Sequence, residues 1–121
     1  MAIYDKDSKK YLSICKLGTG FNLVFLTEMS QNLNHYIATR IPQDYILPNK
    51  IRPNIFFKPK VVWEVGYDSF TESFNYTLLK NEITEEYGIS LRFPRFIRVR
   101  EDKQVTDCTD LESLRTLYLN S

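Results

Sequence analysis

The chain has 121 residues, of which 43% are hydrophobic and 26% charged, a size and composition that fit one globular domain and exclude two. Its 16 basic and 15 acidic residues leave a net charge of +1, which excludes a globally basic nucleic-acid-binding protein, so any basic site must arise from local clustering. The aromatic content of 14% favours a β-rich core.

The cysteines and the histidine argue against a disulfide framework or a zinc site. Cys15 and Cys108 are far apart and neither stands in a Cys-x-x-Cys pair, which favours two reduced thiols in an intracellular protein. His35 is the only histidine, so a His/Cys zinc set cannot be assembled and no metal site is predicted. No segment approaches the roughly 20 apolar residues of a membrane span, and we expect no membrane partner.

The chain opens with a predicted β-hairpin. Residues 1–4 are apolar, residues 5–10 supply turn-forming side chains, and residues 11–17 form a second strand closed by the Gly18-Thr19-Gly20 segment. Because the first strand is unusually short, we expect residues 1–121 to form one domain whose first strand is truncated.

A helix is predicted after the hairpin. Asn22 is suited to cap it. Apolar residues then recur at helical spacing: Leu26, Met29, Leu33, Tyr36 and Ile37. We expect the helix to end near Thr39, before Pro42. Residues 40–60 contain four prolines and are predicted to be irregular, with basic residues that favour a solvated loop over a contact surface.

Two further segments alternate as strands. In residues 61–67, Trp63 and Val65 share one face and Glu64 lies opposite, and residues 70–79 are predicted as a less regular strand. From residue 89 one face carries Ile89, Leu91, Phe93, Ile97 and Val99, and the other carries Ser90, Arg92, Arg98 and Arg100. A bulge at Pro94 would explain why the alternation breaks there.

A short helix is predicted at the end of the chain. Thr109 and Glu112 have the spacing of a capping box, followed by an apolar face that includes Leu114 and Leu117. These elements fit a mainly β fold, a five-stranded Greek-key barrel of OB type with one middle helix and a short C-terminal helix. The pattern alone does not distinguish this barrel from an SH3-like barrel or a small sandwich.

The most informative segment is residues 88–103, Gly-Ile-Ser-Leu-Arg-Phe-Pro-Arg-Phe-Ile-Arg-Val-Arg-Glu-Asp-Lys. A strand that buries one face and projects arginines from the other is suited to binding phosphates. Its Arg-x-Asp-Lys end adds two cations and a carboxylate, which can hold a polyphosphate. Charge alone leaves open an edge strand whose arginines prevent aggregation.

This segment resembles the last nucleotidyltransferase motif of ATP-dependent DNA ligases, most closely the eukaryotic replicative and archaeal types. The run Ile14-Cys15-Lys16-Leu17-Gly18-Thr19-Gly20-Phe21 is similar to the second strand of that family's OB domain, and Val62-Trp63-Glu64-Val65 is similar to a further strand. The hairpin and helix occur in the same order, so the resemblance covers nearly the whole chain. It implies the C-terminal OB-fold domain of such a ligase.

The resemblance implies a role in sealing nicks, where ATP adenylates a lysine and AMP passes to the 5′-phosphate before the 3′-hydroxyl attacks. It implies that Arg100, Asp102 and Lys103 are the candidate catalytic residues, which contact the ATP pyrophosphate only together with an adenylation domain. It places Arg92 and Phe93 where the family contacts the minor groove near the nick, and we expect Arg95, Arg98 and Lys16 to be further DNA-binding residues. By position alone, Phe93 also fits a core and Lys16 a surface strand.

The sequence departs from the family at the nucleophile. None of the nine lysines begins a Lys-x-Asp-Gly motif, so we expect the isolated chain neither to form enzyme–AMP nor to seal nicks. ATP and Mg²⁺ are expected as cofactors of the full-length enzyme, and none for the isolated domain. The expected partners are nicked double-stranded DNA and the adenylation domain of the same ligase, for a monomer in the nucleus. A stand-alone OB module for single strands and a non-catalytic interaction domain are the alternatives.

Overall fold

The N-terminal hairpin is confirmed in the computed structural model, which describes residues 1–48 and 50–121. Strand β1 spans Ala2–Asp5 and pairs antiparallel with β2, Lys10–Ser13. The Asp5 carboxylate forms the turn, because it accepts hydrogen bonds from the Asp7 N–H at 3.1 Å and the Ser8 hydroxyl at 2.7 Å. Strand β2 is shorter than predicted and ends at Ser13, although the Ile14 N–H still donates to the Met1 carbonyl at 2.9 Å and the Met1 amino group donates to the Cys15 carbonyl at 3.0 Å.

The middle helix α1 spans Leu23–Leu33, with Asn22 as its N-cap. The Asn22 Oδ1 accepts a hydrogen bond of 2.7 Å from the Phe25 N–H, as the capping prediction required. The predicted end near Thr39 is wrong. A 3₁₀ turn, Asn34–Tyr36, follows the helix, and Ile37–Ala38 then forms strand β3. The reason is tertiary pairing, since β3 hydrogen-bonds to β5, Phe56–Phe57.

The irregular segment predicted at residues 40–60 contains two short strands. Besides β5, Tyr45–Ile46 forms β4, which pairs parallel with β2. Residue Asn49 lies outside the described residues. Both strands have only two residues, in keeping with a segment in which four prolines limit ladder hydrogen bonds.

The second half of the chain forms two antiparallel strand pairs. At Pro94 the chain passes from one pair to the other. Strand β6, Trp63–Gly66, is followed by β7, Ser69–Ser73, and β8, Gly88–Arg92, is followed by β9, Arg95–Val99. Strand β7 pairs with β8, whereas β6 pairs with β9. The strand predicted over residues 70–79 therefore ends early, at Ser73.

The bulge expected at Pro94 lies elsewhere. The chain leaves one ladder at Arg92 and joins the next at Arg95, because Pro94 has no N–H to donate and Phe93 adopts a positive φ of 53°. The bulge is at Ile97, which has no partner between the pairs Glu64–Arg98 and Val65–Phe96. Phe93 is 63% exposed and lies outside the core, and Ser90, predicted on the polar face, is buried and donates to the Ile14 carbonyl.

Helix α2 spans Leu111–Leu119 and begins one residue later than predicted. Its N-cap is Asp110, whose carboxylate accepts a hydrogen bond of 2.8 Å from the Ser113 N–H, so the assignment of Thr109 as N-cap is wrong. The Thr109 carbonyl instead accepts from the Tyr4 N–H, which attaches this segment to β1. An ion pair of 3.1 Å between Asp110 and Lys6, in the turn after β1, adds a second link between the hairpin and the start of α2.

The core lies between the hairpin, β8 and α2. Its fully or nearly buried members are Ile3, Ile14, Cys15, Leu78, Leu79, Ile89 and Leu114. Cys15 and Cys108 are both free thiols, and burial raises the pKa of each. The mainly β composition with two helices is confirmed, and ladder hydrogen bonds divide the described strands among four small sheets. No helix in residues 1–48 and 50–121 is long and apolar enough to cross a membrane.

Candidate nucleic-acid interface

Strand β9 carries the basic residues and is fixed from two sides. One edge pairs with β6, and at the other the Phe96 N–H donates a 2.8 Å hydrogen bond to the Thr19 carbonyl. The Phe96 ring faces inward and stacks on Phe25 with centroids 4.4 Å apart, while Trp63 meets it edge-on at 5.0 Å. Aromatic packing behind the strand therefore leaves its arginines toward solvent.

The close approach of the Gly18-Thr19-Gly20 segment depends on Gly20. Its φ is +95°, and a Cβ there would lie 2.8 Å from the Phe96 backbone nitrogen and still closer to the Phe96 carbonyl oxygen. A side chain would therefore push this segment off β9. The sequence prediction treated the segment as a turn that ends a strand, and the structure adds that it supports the basic strand.

Arg100 and Asp102 form the best-defined charged pair of the predicted polyphosphate end. Arg100 Nε and Nη2 donate to the two carboxylate oxygens of Asp102 at 2.9 and 2.8 Å, and its Nη1 donates to Glu64 at 3.1 Å. The hydrogen bonds with Asp102, joined by Glu64, raise the pKa of Arg100 above its already high value. The same hydrogen bonds hold the pKa of Asp102 well below its usual range.

Lys103 is the exposed cation beside this pair. Its Nζ lies 3.5 Å from the Asp107 carbonyl oxygen, at the limit of a hydrogen bond, so an anion has little to displace there. Arg100 and Lys103 both line a cavity of about 220 Å³ that reaches toward Cys108 and Leu114. The donor set therefore fits a polyphosphate at Lys103 directly, and at Arg100 only in exchange for a carboxylate.

Arg92 and Phe93 stand together at the exit of β8. The Arg92 guanidinium lies 5.2 Å from the centroid of the Phe93 ring, within cation–π range, and both side chains are exposed. An exposed ring beside a cation, on a backbone of positive φ, is a projecting feature of the surface. A projecting ring beside a cation has the geometry that insertion into a nucleic-acid groove requires.

The other predicted DNA-contact residues differ in how far they are engaged. Arg98 is 3.4 Å from Glu64 and is mostly exposed, so it is available to a phosphate. Arg95 is held by Asp68 at 3.1 Å. Lys16 is exposed and precedes the Gly18-Thr19-Gly20 segment, which places it on the chain that reaches β9.

Two acidic residues at the site escaped the sequence reasoning. The alternation of residues 61–67 places Glu64 only on the polar face of its strand, whereas the fold pairs it with Arg98, which accounts for the ion pair. No sequence pattern indicates a role for Asp68, because it lies in a turn whose position depends on the pairing of four strands. In the part of the chain that the structure describes, no three His, Cys, Asp or Glu side chains converge as a metal-binding group.

Comparison with known proteins matches this chain to DNA ligases. A family profile described as the ATP dependent DNA ligase C terminal region matches residues 1–103. DNA ligase 1 of Arabidopsis thaliana is 38% identical over 118 residues, which are 98% of this chain and 15% of that protein. The DNA ligase of Sulfolobus acidocaldarius is 36% identical over 118 residues, covering 98% of this chain and 19% of its own.

Drosophila melanogaster DNA ligase 1 is 36% identical over 118 residues, again 98% of this chain and 16% of the relative. The chain thus spans about a fifth or less of the curated relatives it matches. The family is the OB-fold C-terminal domain, in agreement with the mainly β structure. The basic strand, its supporting segment and these matches together show that the chain belongs to the C-terminal region family of ATP-dependent DNA ligases.

Proposed function

We propose that residues 1–121 act as the OB-fold domain through which an ATP-dependent DNA ligase binds nicked double-stranded DNA. The observation that carries this proposal is the exposed Arg92–Phe93 pair, with its guanidinium 5.2 Å from the ring centroid. An apolar ring can enter a widened minor groove while the neighbouring cation meets a phosphate. Arg98 and Lys16, both exposed, extend the phosphate contacts.

We further propose that the same domain serves lysine adenylation when the adenylation domain of the ligase is present. Lys103 would make the first contact with the ATP pyrophosphate, since it is exposed and weakly held. Asp102 would orient Arg100 toward the same group, because it binds Nε and Nη2 together. ATP and Mg²⁺ would be cofactors of the whole enzyme and not of this domain alone, which we propose to be a monomer that works in the nucleus.

The DNA-facing part of the proposal is tested by titrating the chain into a fluorescently labelled nicked duplex and its unnicked control. Binding should weaken steeply with added salt, because phosphate contacts release counterions. The double variant Arg92→Ala and Arg98→Ala should weaken binding at low salt and reduce the salt slope by about 0.9 for each phosphate that is no longer neutralised.

Arg115→Ala is the matched control for that titration. Arg115 is an arginine of α2 that pairs with Glu82 at 2.6 and 2.9 Å, so its removal takes away a positive charge without touching β8 or β9. If the double variant and the control bound nicked DNA as the wild type does, the DNA-facing assignment would be abandoned.

The adenylation part is tested by supplying a separately produced adenylation domain of a DNA ligase 1 relative. The chain should raise the rate at which that domain forms its lysine–AMP adduct from ATP. Lys103→Ala and Asp102→Asn should reduce this stimulation, and Arg115→Ala should not. Equal stimulation by all four proteins would remove Lys103 and Asp102 from the proposed site.

A single-strand-binding module is the second candidate, favoured by two exposed rings. Phe74 is 80% exposed, and Phe93 projects from the strand break. Exposed aromatic rings can stack on unpaired bases. In the same titration this function would give tighter binding to a single strand than to the nicked duplex, and substituting the rings would weaken binding more than substituting the arginines.

A further inference from the structure

The turn between β6 and β7 lies directly against the break between β8 and β9. The Asp68 N–H donates a 3.0 Å hydrogen bond to the Arg92 carbonyl, and the Asp68 carboxylate accepts one of 3.1 Å from Arg95 Nη1. The same Nη1 lies 3.4 Å from the Phe93 carbonyl oxygen. Asp68 thus contacts the residues on both sides of Phe93 and Pro94, one through its main chain and one through its side chain.

Gly66 provides the space for this arrangement. In the β6–β9 register it lies opposite Arg95. A Cβ at Gly66 would be 3.2 Å from Arg95 Nε and 3.3 Å from its Cζ, tighter than ordinary van der Waals contact. The absence of a side chain at this position therefore lets the guanidinium pass over β6 toward Asp68.

Phe93 depends on such support because its own packing is weak. A non-glycine residue at a φ of 53° is in a sparsely populated region and stays there only where its surroundings fix it. Its ring is mostly exposed, so the core does not determine where it points. The backbone at Arg92 and Arg95 therefore sets the direction in which the ring projects.

We infer that Asp68 and Arg95 are positioning residues, which hold the Phe93 backbone so that its ring projects from the strand break. The Arg95 Nη1 is shared between the Asp68 carboxylate and the Phe93 carbonyl, so this guanidinium is directed at the Phe93 backbone. The effect of this positioning on DNA binding rests on the proposed function, whereas the positioning of Phe93 is a property of the free domain. Arg92 and Arg98 are then the phosphate-contacting arginines of the strand pair.

The free domain gives the first test, by NMR on the wild type and on Asp68→Ala and Arg95→Ala. The one-bond Cα–Hα coupling of Phe93 distinguishes positive from negative φ, and the Phe93 amide shift reports its surroundings. Both should change in the two variants. Glu82→Ala is the matched control, since it breaks the Arg–carboxylate pair between Glu82 and Arg115 of α2 and should leave Phe93 unchanged.

The second test measures nicked-duplex affinity across a salt series. Asp68→Ala and Arg95→Ala should each weaken binding by about two- to fivefold, the range for losing one exposed charge pair, with the salt slope unchanged. Because Arg95→Ala removes both contacts of this guanidinium, the double variant should be no weaker than Arg95→Ala alone. The exchange Asp68→Arg with Arg95→Asp restores the ion pair but not the donation to the Phe93 carbonyl, so it should recover only part of the affinity.

The outcomes separate the two proposals. An unchanged Phe93 coupling and shift in both single variants would overturn the positioning role, whatever happens with DNA. A salt slope that falls by about 0.9 in Arg95→Ala, together with an exchange variant weaker than either single variant, would make Arg95 a phosphate contact and overturn it too. If the wild type bound no nicked DNA, the proposed function would fail, and the Phe93 coupling would still decide the positioning role.

Discussion

One carboxylate oxygen of Glu64 is shared between Arg98 and Arg100, which lie on the same face of the strand. Glu64 Oε1 lies 3.1 Å from Arg100 Nη1 and 3.4 Å from Arg98 Nη2. The register explains the contact, because Glu64 on β6 stands opposite Arg98 on β9. A single carboxylate therefore partly neutralises the two arginines that we assign to different ligands, one to DNA and the other to a polyphosphate.

Replacing Glu64 by Gln should strengthen the binding of nicked duplex at low salt by about two- to fivefold. The amide can still accept a hydrogen bond, but it no longer competes with a phosphate for the Arg98 guanidinium. Fluorescence anisotropy against the same duplex measures the change. Glu28→Gln in α1 removes an identical charge and should have a smaller effect. A loss of affinity in Glu64→Gln would mean that Glu64 orients Arg98 for DNA.

The N-cap of α2 makes a pH-dependent contribution to stability. Hydrogen bonds from Ser113, joined by the ion pair with Lys6, lower the pKa of Asp110 to about 2. Because the folded pKa is below the value of about 3.9 for a free Asp, the contribution is fully present above pH 4 and is lost as the pH falls toward 2. Asp110→Ala should therefore reduce the free energy of unfolding at pH 7 by about 1 kcal/mol.

Urea unfolding of Asp110→Ala and Asp110→Asn measures both parts of that contribution. Asp110→Asn keeps the capping hydrogen bond and loses the charge. Its loss of unfolding free energy at pH 7 should therefore be smaller than that of Asp110→Ala, and it should vanish as the pH falls from 4 to 2. Thr109→Ala is the control, because the structure uses only its main-chain carbonyl. A larger loss in Thr109→Ala than in Asp110→Ala would contradict the assignment of the cap.

Elements with strong local signals were predictable from the sequence. The hairpin turn follows from Asp5, Asp7 and Ser8, and the start of α1 follows from Asn22, because in both cases the stabilising hydrogen bonds join residues within three positions of one another. The end of α1 was not predictable, since strand β3 forms only where β5 supplies a partner about 20 residues later. Elements fixed by near neighbours in sequence are therefore predictable, whereas an element that depends on a distant strand is not.

The candidate site shows the same division. The basic strand and its end at Arg100, Asp102 and Lys103 are predictable from the sequence, because they lie in one continuous segment that resembles a family motif. The sequence predicts a bulge at Pro94 where the structure has a break between two strands. The missing N–H of proline indicates that the ladder is interrupted, but it does not indicate that β8 and β9 pair with different strands. Glu64, Asp68 and Gly20 come from other segments, and only the folded chain brings them to β9.

The aromatic cluster behind β9 should contribute much of the strand's stability. Phe25 stacks on Phe96 at 4.4 Å and lies 6.0 Å from Trp63, so it links α1 to both β6 and β9. Phe25→Ala should reduce the free energy of unfolding by about 2–3 kcal/mol, less than for a fully buried Phe because the ring is half-buried.

The fluorescence of Trp63, the only tryptophan, reports the same change without denaturant. Removing the Phe25 ring should shift its emission to longer wavelength as water reaches the indole. Leu23→Ala is the control, since this α1 residue is 79% exposed and should alter stability by no more than about 0.5 kcal/mol. Equal losses in the two variants would show that the cluster does not hold α1 against β9.

Gly18 and Gly20 offer a matched pair for testing the support of the basic strand. Both glycines lie in one exposed segment, but a Cβ at Gly18 would meet nothing within 4 Å, whereas one at Gly20 would overlap the Phe96 backbone at a φ of +95°. Gly20→Ala should therefore destabilise the domain by about 1–3 kcal/mol and lower its affinity for nicked duplex. Gly18→Ala should be neutral or slightly stabilising, because Ala restricts the unfolded chain.

Thermal unfolding and the duplex titration, performed on both variants, measure these effects. Amide exchange at Phe96 adds a local readout, because its N–H donates to the Thr19 carbonyl and should lose protection only in Gly20→Ala. If Gly20→Ala kept wild-type stability and Phe96 protection, the segment would not support β9. The arginines of this strand would then owe their placement to the β6 ladder and the aromatic cluster alone.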